Sequence, residues 1–236
     1  MVKKTIKFVD GNGKMKRRSE VTKNEMARNL LKGAIQRQIP FTYVLMDNWF
    51  ASKENSEFIT KHKKHFIAAI KSNRLFARSL EDKLNGHFER VDALGLKDKE
   101  CVQGYLKGYG KEVILTCRVF TNKDGSTGTL YLVCSDLSLS GDHIATLYQK
   151  RWKVEEYHKS LKSNAAVAKS PTKRVTTQIS HLVMPIIAVF KLECLKIKHH
   201  LNHFALRAKV LIKANLAAMS ELKKLYCAYL SYNISL

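Results

Sequence analysis

The chain has 236 residues, of which 45% are hydrophobic and 26% are charged, so it is long and apolar enough to bury the core of one large domain. Lys and Arg number 42 against 20 Asp and Glu, which gives a formal net charge of +22. This excess is spread along the whole chain and goes far beyond what solubility requires, so we expect an extended polyanionic partner. Nucleic acid is favoured over an anionic membrane surface.

Two apolar-segment tests, for a signal peptide and for a transmembrane span, predict a cytoplasmic chain. Residues 1–13 contain no apolar core of the length that a signal peptide needs. The most apolar segment, residues 179–197, is interrupted by Pro185, Lys191 and Glu193, and it predicts a buried helix rather than a transmembrane span. We therefore expect no membrane partner. Five cysteines without a CxxC pair indicate reduced thiols that fill the core.

The N-terminal segment predicts a short strand followed by a helix. Residues 5–9 (TIKFV) alternate as a strand does and end in the turn DGNG, and residues 14–19 (KMKRRS) are expected to be solvated. Thr22 and Glu25 have the spacing of a capping box, which predicts the start of a helix that Pro40 closes.

A strand, a helix and a second strand follow. The run YVLMDNWF (residues 43–50) has the length of a strand and places Asp47 at its C-terminal end. Ser52 is the expected cap of the next helix, and HFIAAIK (residues 65–71) predicts another buried strand. This alternation favours an α/β fold with a parallel sheet that is covered on both faces.

The pattern changes after the second buried strand. Residues 74–141 contain apolar runs joined by glycine turns, which predict an antiparallel β insertion. From Gly141 onward the periodicity is helical, and we expect helices at about 142–165, 175–200 and 203–230.

Asp47 lies where ligands gather in an open α/β sheet, beyond the carboxyl end of a strand. A turn or a helix cap is the ordinary alternative for a single Asp in this position. Its position alone does not decide between a functional and a structural role.

A second carboxylate lies in the basic stretch LYQKRWKVEEYHKSLK. Tyr148, Arg151, Glu155 and Lys162 are separated by gaps of two, three and six residues, and on one helix they fall at roughly 0°, −60°, −20° and −40°. Glu156 points roughly 100° away from Glu155. Glu155 is therefore the carboxylate expected to share a face with the other polar groups, and a solvated amphipathic face is the alternative.

The same spacing reproduces the Y-(2)-R-(3)-E-(6)-K signature of DDE transposases from the large bacterial insertion-sequence group named for insertion sequence four. All four positions match, within a segment, RWKVEEYHKSLK, that also resembles that group. The DNWF segment (residues 47–50) is similar to the group's second acidic motif, an Asp that closes an apolar strand and precedes an aromatic residue. With KHFIAAIKSNR (residues 64–74) and the helical C-terminal third, the resemblance covers nearly the whole chain.

The resemblance implies a ribonuclease H-like fold. This is a mixed sheet with flanking helices, interrupted by an antiparallel β insertion and followed by a helical C-terminal third. The catalytic core then begins in residues 1–73 and is completed in residues 142–200, which include the YREK helix. Residues 74–141 are the β-rich insertion, and residues 201–236 are a C-terminal helical region.

The resemblance also implies a metal site, because two aspartates and one glutamate hold two divalent metal ions in that family. Asp47 and Glu155 are the implied catalytic residues and metal ligands, with Mg²⁺ as the cofactor and Mn²⁺ as an alternative. Carboxylate oxygens suit these ions, and two metals supply an activated nucleophile and a stabilised leaving oxygen. Tyr148, Arg151 and Lys162 are implied to contact the phosphates of the transposon end.

The match fails at the first aspartate, which in relatives lies on the first strand of the sheet, well upstream of the second. Only 46 residues precede Asp47, and Asp10 belongs to a DGNG turn that needs no function to explain it. We therefore expect an N-terminally truncated chain that starts at the sheet's third strand and leaves a sheet edge exposed. Trp49 and Trp152, beside the acidic motifs, are expected to be core anchors.

Three functions remain open on this reasoning. The first is a metal-dependent transposase that binds double-stranded DNA at element ends and at the target, as a homodimer in a synaptic complex. The second is a catalytically inactive fragment that binds DNA or inhibits an intact transposase. The third is a basic RNA-binding protein, which explains the charge but leaves the four-residue signature accidental.

Overall fold

The computed structural model describes residues 5–169, 174–200 and 202–234. The chain divides into two compact units, one that ends at Lys153 and one that begins at Val154. The first unit contains the β-sheets and the helices packed on them, and the second is helical.

The elements of the first unit alternate between strands and short helices. Its strands are β1 (Thr5–Val9), β2 (Met15–Ser19), β3 (Tyr43–Met46), β4 (His65–Ile70), β5 (Leu75–Ala77), β6 (Glu89–Arg90), β7 (Cys101–Leu106), β8 (Val113–Thr121) and β9 (Thr127–Cys134). Its helices are α1 (Lys23–Gln36), α2 (Lys53–Lys61), α3 (Leu80–Leu84) and α4 (Gly141–Gln149), with a 3₁₀ turn at Val91–Leu94. The chain continues with α5 (Trp152–Ala165), α6 (Val175–His199) and α7 (His203–Ile234).

The main sheet has the strand order β3-β4-β9-β8-β7-β5-β6. β3 and β4 run parallel, whereas the other neighbouring pairs are antiparallel. The predicted mixed α/β architecture is confirmed, including the parallel pair on either side of α2. The antiparallel strands expected between residues 74 and 141 continue this same sheet, because β9 pairs directly with β4.

β1 and β2 form a separate two-stranded hairpin. Asp10 closes it as predicted, because its Oδ1 accepts hydrogen bonds from the backbone N–H groups of Asn12 (3.0 Å) and Lys14 (2.9 Å). Its other carboxylate oxygen lies 2.6 Å from Lys16 Nζ, and this contact holds the pKa of Asp10 below its usual range. The sequence predicts only a solvated segment for residues 14–19, and the structure adds that this segment pairs with β1.

The main sheet buries apolar side chains on both faces, and β4 supplies both. Phe66 and Ala68 belong to the core cluster that includes Ile59 of α2. Ile67 belongs to the opposite cluster, with Ile144 of α4. A strand covered on both faces needs consecutive apolar residues, which explains the uninterrupted run at HFIAAI.

The second unit is helical as predicted, but the expectation that residues 179–197 form a buried helix is wrong. Phe190 is 68% exposed and Met184 is 66% exposed, whereas Val189 is 2% exposed. Val189 and Pro185 are buried, but most of the other described side chains of this 25-residue helix are exposed. Thr176–His199 is long and apolar enough to cross a membrane, a test that core helices of soluble proteins also pass. The absence of a membrane partner stays a prediction.

The cysteines are free thiols, but they do not all fill the core. Cys117 and Cys134 are buried in the sheet, while Cys101, Cys194 and Cys227 are exposed. The expectation that all five fill the core is therefore wrong for three of them. Burial raises the pKa of the Cys134 thiol to about 11, because a thiolate loses its hydration inside the sheet.

We expect two classes of thiol in the native protein. At pH 8, the three exposed cysteines should react rapidly with a disulfide reagent such as Ellman's reagent, since the thiolate is the reactive form. Cys117 and Cys134 should react only when the protein unfolds, which a stopped-flow trace with and without denaturant measures. Simultaneous reaction of all five thiols in the native protein would contradict this placement.

Gly141 allows α4 to start close to the sheet. A Cβ at this position would overlap the backbone carbonyl of Lys99 and approach Thr116 Oγ1 to 3.0 Å. The residue must therefore have no side chain unless the backbone of Lys99 moves.

The substitution Gly141→Ala should lower the free energy of unfolding by about 1–3 kcal/mol, the usual cost of overpacking. The matched control is Gly33→Ala in α1, where a Cβ meets no atom within 4 Å. That variant should gain about 0.5–1 kcal/mol from helix propensity. Urea denaturation of both variants measures the difference, and equal midpoints would contradict the close approach at Gly141.

Candidate active site

Asp47 lies at the carboxyl end of β3, beside the parallel strand β4. Its Oδ1 accepts hydrogen bonds from the backbone N–H groups of Trp49 (3.0 Å) and Phe50 (3.3 Å). This is the turn-capping role considered as the ordinary alternative. It occupies only one oxygen, however, and Oδ2 has no hydrogen bond or ion pair to any described residue. The carboxylate is therefore oriented by its turn and still keeps an oxygen for a ligand.

The turn after Asp47 is stabilised by the buried side chain of Asn55, which is 1% exposed. Its Nδ2 donates to the carbonyl of Phe50 (2.8 Å) and to Asn24 Oδ1 (3.1 Å). Its Oδ1 accepts from the guanidinium of Arg28 at 2.8 Å. One amide thus connects α1, α2 and the residue whose N–H bonds to Asp47.

Sequence reasoning missed Asn55. The signal was present, since Asn55 lies four residues before Ile59 on the inner face of α2. An amide at an apolar helix position is a buried polar group that must find partners. The partners themselves were not predictable, because Asn24 and Arg28 belong to a different helix.

Tyr148 and Arg151 belong to the same unit as Asp47. Tyr148 lies on α4, is 8% exposed and packs in the core cluster with Ile67 and Ile144. The Arg151 guanidinium lies 5.6 Å from the centroid of its ring. Burial raises the pKa of Tyr148, Arg151 opposes this shift, and the negative charge of Asp47 adds to it. The Asp47 carboxylate is therefore within electrostatic range of the Tyr148 ring.

The predicted helix over residues 142–165 is interrupted. α4 ends at Gln149 and α5 begins at Trp152, with turn hydrogen bonds from Arg151 N to Tyr148 O (2.9 Å) and from Lys153 N to Lys150 O (3.0 Å). The angles calculated for one continuous helix therefore do not apply across this turn. The turn at residues 149–152 contains neither Pro nor Gly, so the sequence gives no signal that the helix is interrupted there.

Glu155 and Lys162 belong to the second unit, on α5, and both are exposed. Lys162 is seven positions after Glu155, so the two side chains lie two turns apart on one side of the helix. Glu156 lies roughly 100° further round the helix. Within α5, the prediction that Glu155 and Lys162 share a face agrees with the geometry, and their roles remain predictions.

The fit of the residues to a metal site is incomplete. Asp47 offers one carboxylate oxygen without a protein partner, which suits Mg²⁺. Among the residues that the structure describes, no group of three or more His, Cys, Asp or Glu is placed to hold a metal ion. The described residues therefore do not assemble the three-carboxylate cage that two metal ions need.

Both tryptophans are exposed, which corrects the expectation that they anchor the core. Trp49 is 75% exposed and Trp152 is 60% exposed. Trp49 lies within the turn that follows β3 and Trp152 is the first residue of α5, so the apolar character of the neighbouring sequence does not bury them. The ammonium of Lys23 lies 5.5 Å from the centroid of the Trp49 ring.

The sequence matches the family model described as "Transposase DDE domain" over residues 17–190. The match covers well over half of the chain, so the chain belongs to the DDE transposase domain family. The matched segment includes Asp47, Tyr148, Arg151, Glu155 and Lys162. The mixed sheet with its flanking helices is consistent with this family. Transposases of this family generally bind DNA and depend on divalent metal ions. None of the curated proteins compared with the chain matches it.

The Asn55 amide yields a stability prediction. Asn55→Ala should lower the free energy of unfolding by about 2–3 kcal/mol, because it leaves the Phe50 carbonyl and the Arg28 guanidinium without a partner in a buried setting. Asn24→Ala is the control, since it removes only one of the same hydrogen bonds and should cost about 1 kcal/mol. Urea denaturation of the two variants tests this, and equal losses would argue against a central role for Asn55.

Proposed function

We propose that this chain is part of a DNA transposase of the insertion-sequence-four type, with a ribonuclease H-like catalytic core. The observation that supports it most is Asp47, a strand-end carboxylate with one free oxygen inside a segment that matches the DDE transposase family. The four-residue signature Tyr148, Arg151, Glu155 and Lys162 supports the subtype.

The proposed site residues divide into two chemical roles. Asp47 and Glu155 are the metal ligands, for Mg²⁺ or Mn²⁺, which when bound activate a nucleophile and stabilise the leaving oxygen of a phosphodiester. Arg151 binds a DNA phosphate through its planar fork, and Lys162 binds another as a point charge. Tyr148 is 8% exposed, so its proposed contribution to DNA binding is to hold the Arg151 guanidinium beside its ring.

The proposal leaves the first aspartate of the family's metal site unassigned. Asp10, the one aspartate upstream of Asp47, is engaged with Lys16 in a turn. β3 is an edge strand of the main sheet.

The proposed partners follow from the family and the charge. Double-stranded DNA is the substrate, both at the ends of the element and at the target, and the strong positive charge favours this polyanion. The chain acts in the cytoplasm, and two copies act together in a synaptic complex.

A second candidate is supported by the residues that the structure describes, which include no group of three His, Cys, Asp or Glu side chains placed to hold a metal ion. A chain without a complete metal cage still has the basic surface that binds DNA. It would act as a DNA-binding or inhibitory partner of an intact transposase and would not cut DNA.

A nicking assay separates the two candidates. With Mg²⁺ and a duplex taken from the ends of the element that encodes the chain, the first candidate predicts that the wild-type protein nicks one strand, and the second predicts that it does not. Asp47→Ala and Glu155→Ala should each reduce the nicking rate by about 100-fold or more, since removal of a residue that only supports a ligand already costs 10–100-fold. Glu156→Ala is the matched control and should keep the rate.

The same variants should bind the duplex with unchanged affinity, as measured by fluorescence anisotropy, because the substitutions remove metal ligands and not phosphate contacts. Binding of the duplex without nicking in either Mg²⁺ or Mn²⁺ would support the inactive partner. Equal loss of nicking in Glu155→Ala and Glu156→Ala would contradict the assignment of Glu155.

A further inference from the structure

A pocket with a volume of about 270 Å³ opens at the end of β3 and β4 that lies opposite Asp47. His65 lines this pocket and is the first residue of β4, where it pairs with Tyr43. Asp47 follows the other end of β3, and the four steps from Tyr43 to Asp47 span about 13 Å in an extended strand. The pocket is therefore separate from Asp47.

Three lysines in the lining bring positive charge from two parts of the fold. Lys63 and Lys64 follow the end of α2, and Lys111 lies between β7 and β8. None of them forms an ion pair with a described residue. Glu112 is the carboxylate of the lining, so the charge stays positive. We call this site the lysine pocket.

Lys63 occupies a backbone position that favours glycine. Its φ is +56°, and it follows the C-cap of α2. The N–H of Lys64 bonds to the carbonyl of Ile59 (3.2 Å), and the N–H of Lys63 bonds to the carbonyl of Thr60 (3.2 Å). These are the two hydrogen bonds of a Schellman motif, in which the left-handed residue is usually Gly. A lysine in this conformation carries more backbone strain than a glycine would, and a favourable contact of its side chain with a ligand would compensate for that strain.

Neutral hydrogen-bonding groups complete the lining. Ser135 Oγ accepts from the N–H of Phe66 at 2.9 Å, so its hydroxyl hydrogen remains available to a ligand. The Tyr109 hydroxyl lies 3.4 Å from Thr60 Oγ1. His65 Nδ1 is buried and finds no hydrogen-bond partner among the residues that the structure describes.

The helix dipole alone does not account for these lysines. A cation is favoured in the last turn of a helix, and Lys61 already occupies that position in α2. Lys63 lies beyond the last turn, and Lys111 reaches the pocket from a different element. Convergence of lysines from separate elements on a cavity indicates an anion.

We propose that the lysine pocket binds a phosphate group of the DNA backbone, as a contact that anchors DNA away from the candidate active site. The volume is below the usual range for drug-sized ligands, which suits one compact anion rather than a whole nucleotide. Lysine ammonium groups, a hydroxyl and an imidazole are ordinary phosphate partners. The inference rests on the DNA binding in the proposed function but not on its cutting chemistry.

The test uses Lys63→Gly, because this substitution removes the charge while relieving the left-handed backbone. Its urea midpoint should equal or exceed that of the wild type, so any loss of affinity is not due to unfolding. Duplex binding is measured by anisotropy over a range of salt concentrations. One lost phosphate contact should make the slope of log K against log [salt] shallower by about 0.9, which corresponds to about eightfold weaker binding at 0.1 M salt.

Two matched controls separate the contribution of the pocket to DNA binding from the effects of the backbone change and of the lost positive charge. Gln38→Gly makes the same backbone change in the same motif at the end of α1, where φ is +54°, without loss of charge. Lys123→Ala removes an exposed positive charge in the turn between β8 and β9. Both variants should keep the wild-type slope and affinity. A loss in Lys123→Ala equal to that in Lys63→Gly would overturn the pocket, because the effect would then be one of net charge.

A titration with inorganic phosphate identifies the source of the ligand. The ¹⁵N resonances of the His65 ring should shift on addition of inorganic phosphate or of the duplex to the wild type, and this shift should disappear in Lys63→Gly. A shift with inorganic phosphate alone, together with unchanged duplex binding in Lys63→Gly, would show a site for free phosphate and overturn the DNA anchor. No shift with either ligand would also overturn it.

The outcome also distinguishes this inference from the proposed function. If the wild type binds and nicks the duplex but Lys63→Gly binds it equally well, only the lysine pocket is excluded. If the wild type binds no duplex at low salt, both the pocket and the proposed transposase are excluded.

Discussion

The geometry around Asp47 depends on a single buried amide. Asn55 is almost fully removed from solvent, so its donors and its acceptor must find protein partners, and they do so on three separate segments. Phe50 is one of these partners, and its own N–H bonds to Asp47. The orientation of the carboxylate is therefore fixed by packing between α1 and α2 as well as by its own turn. This explains how the carboxylate of a strand-end aspartate is held in place through one of its two oxygens.

The local elements were predictable because their causes are local. Thr22 and Ser52 cap α1 and α2 as expected, since a capping side chain bonds to a backbone N–H three residues away. The strands at residues 43–46 and 65–70 follow from continuous apolar runs. In each case the residues that decide the structure are neighbours in the sequence.

The parts that sequence reasoning could not predict are those set by distant contacts. β9 joins the sheet by pairing Cys134 with Ile67, and hydrophobic pattern alone does not specify such a partner. Asn55 meets Arg28 across 27 positions. The turn between α4 and α5 disrupts the calculated alignment of Tyr148 with Glu155 without any helix-breaking residue to signal it. The four-residue signature is a pattern of sequence spacing, so this turn leaves it a prediction.

The excess positive charge of the chain favours phosphate binding at both of its candidate DNA contacts, Arg151 and the lysine pocket. Since 42 cationic side chains face 20 carboxylates, at least 22 of the cations have no carboxylate of their own. The ion pairs described are mostly exposed, such as Lys99 with Asp142 at 2.7 Å, and pairs of this kind add little stability. The unpaired cations instead repel one another in the folded state. Phosphates bound near Arg151 and in the lysine pocket would relieve that repulsion, so in the proposed transposase DNA binding and the stability of the folded chain are coupled.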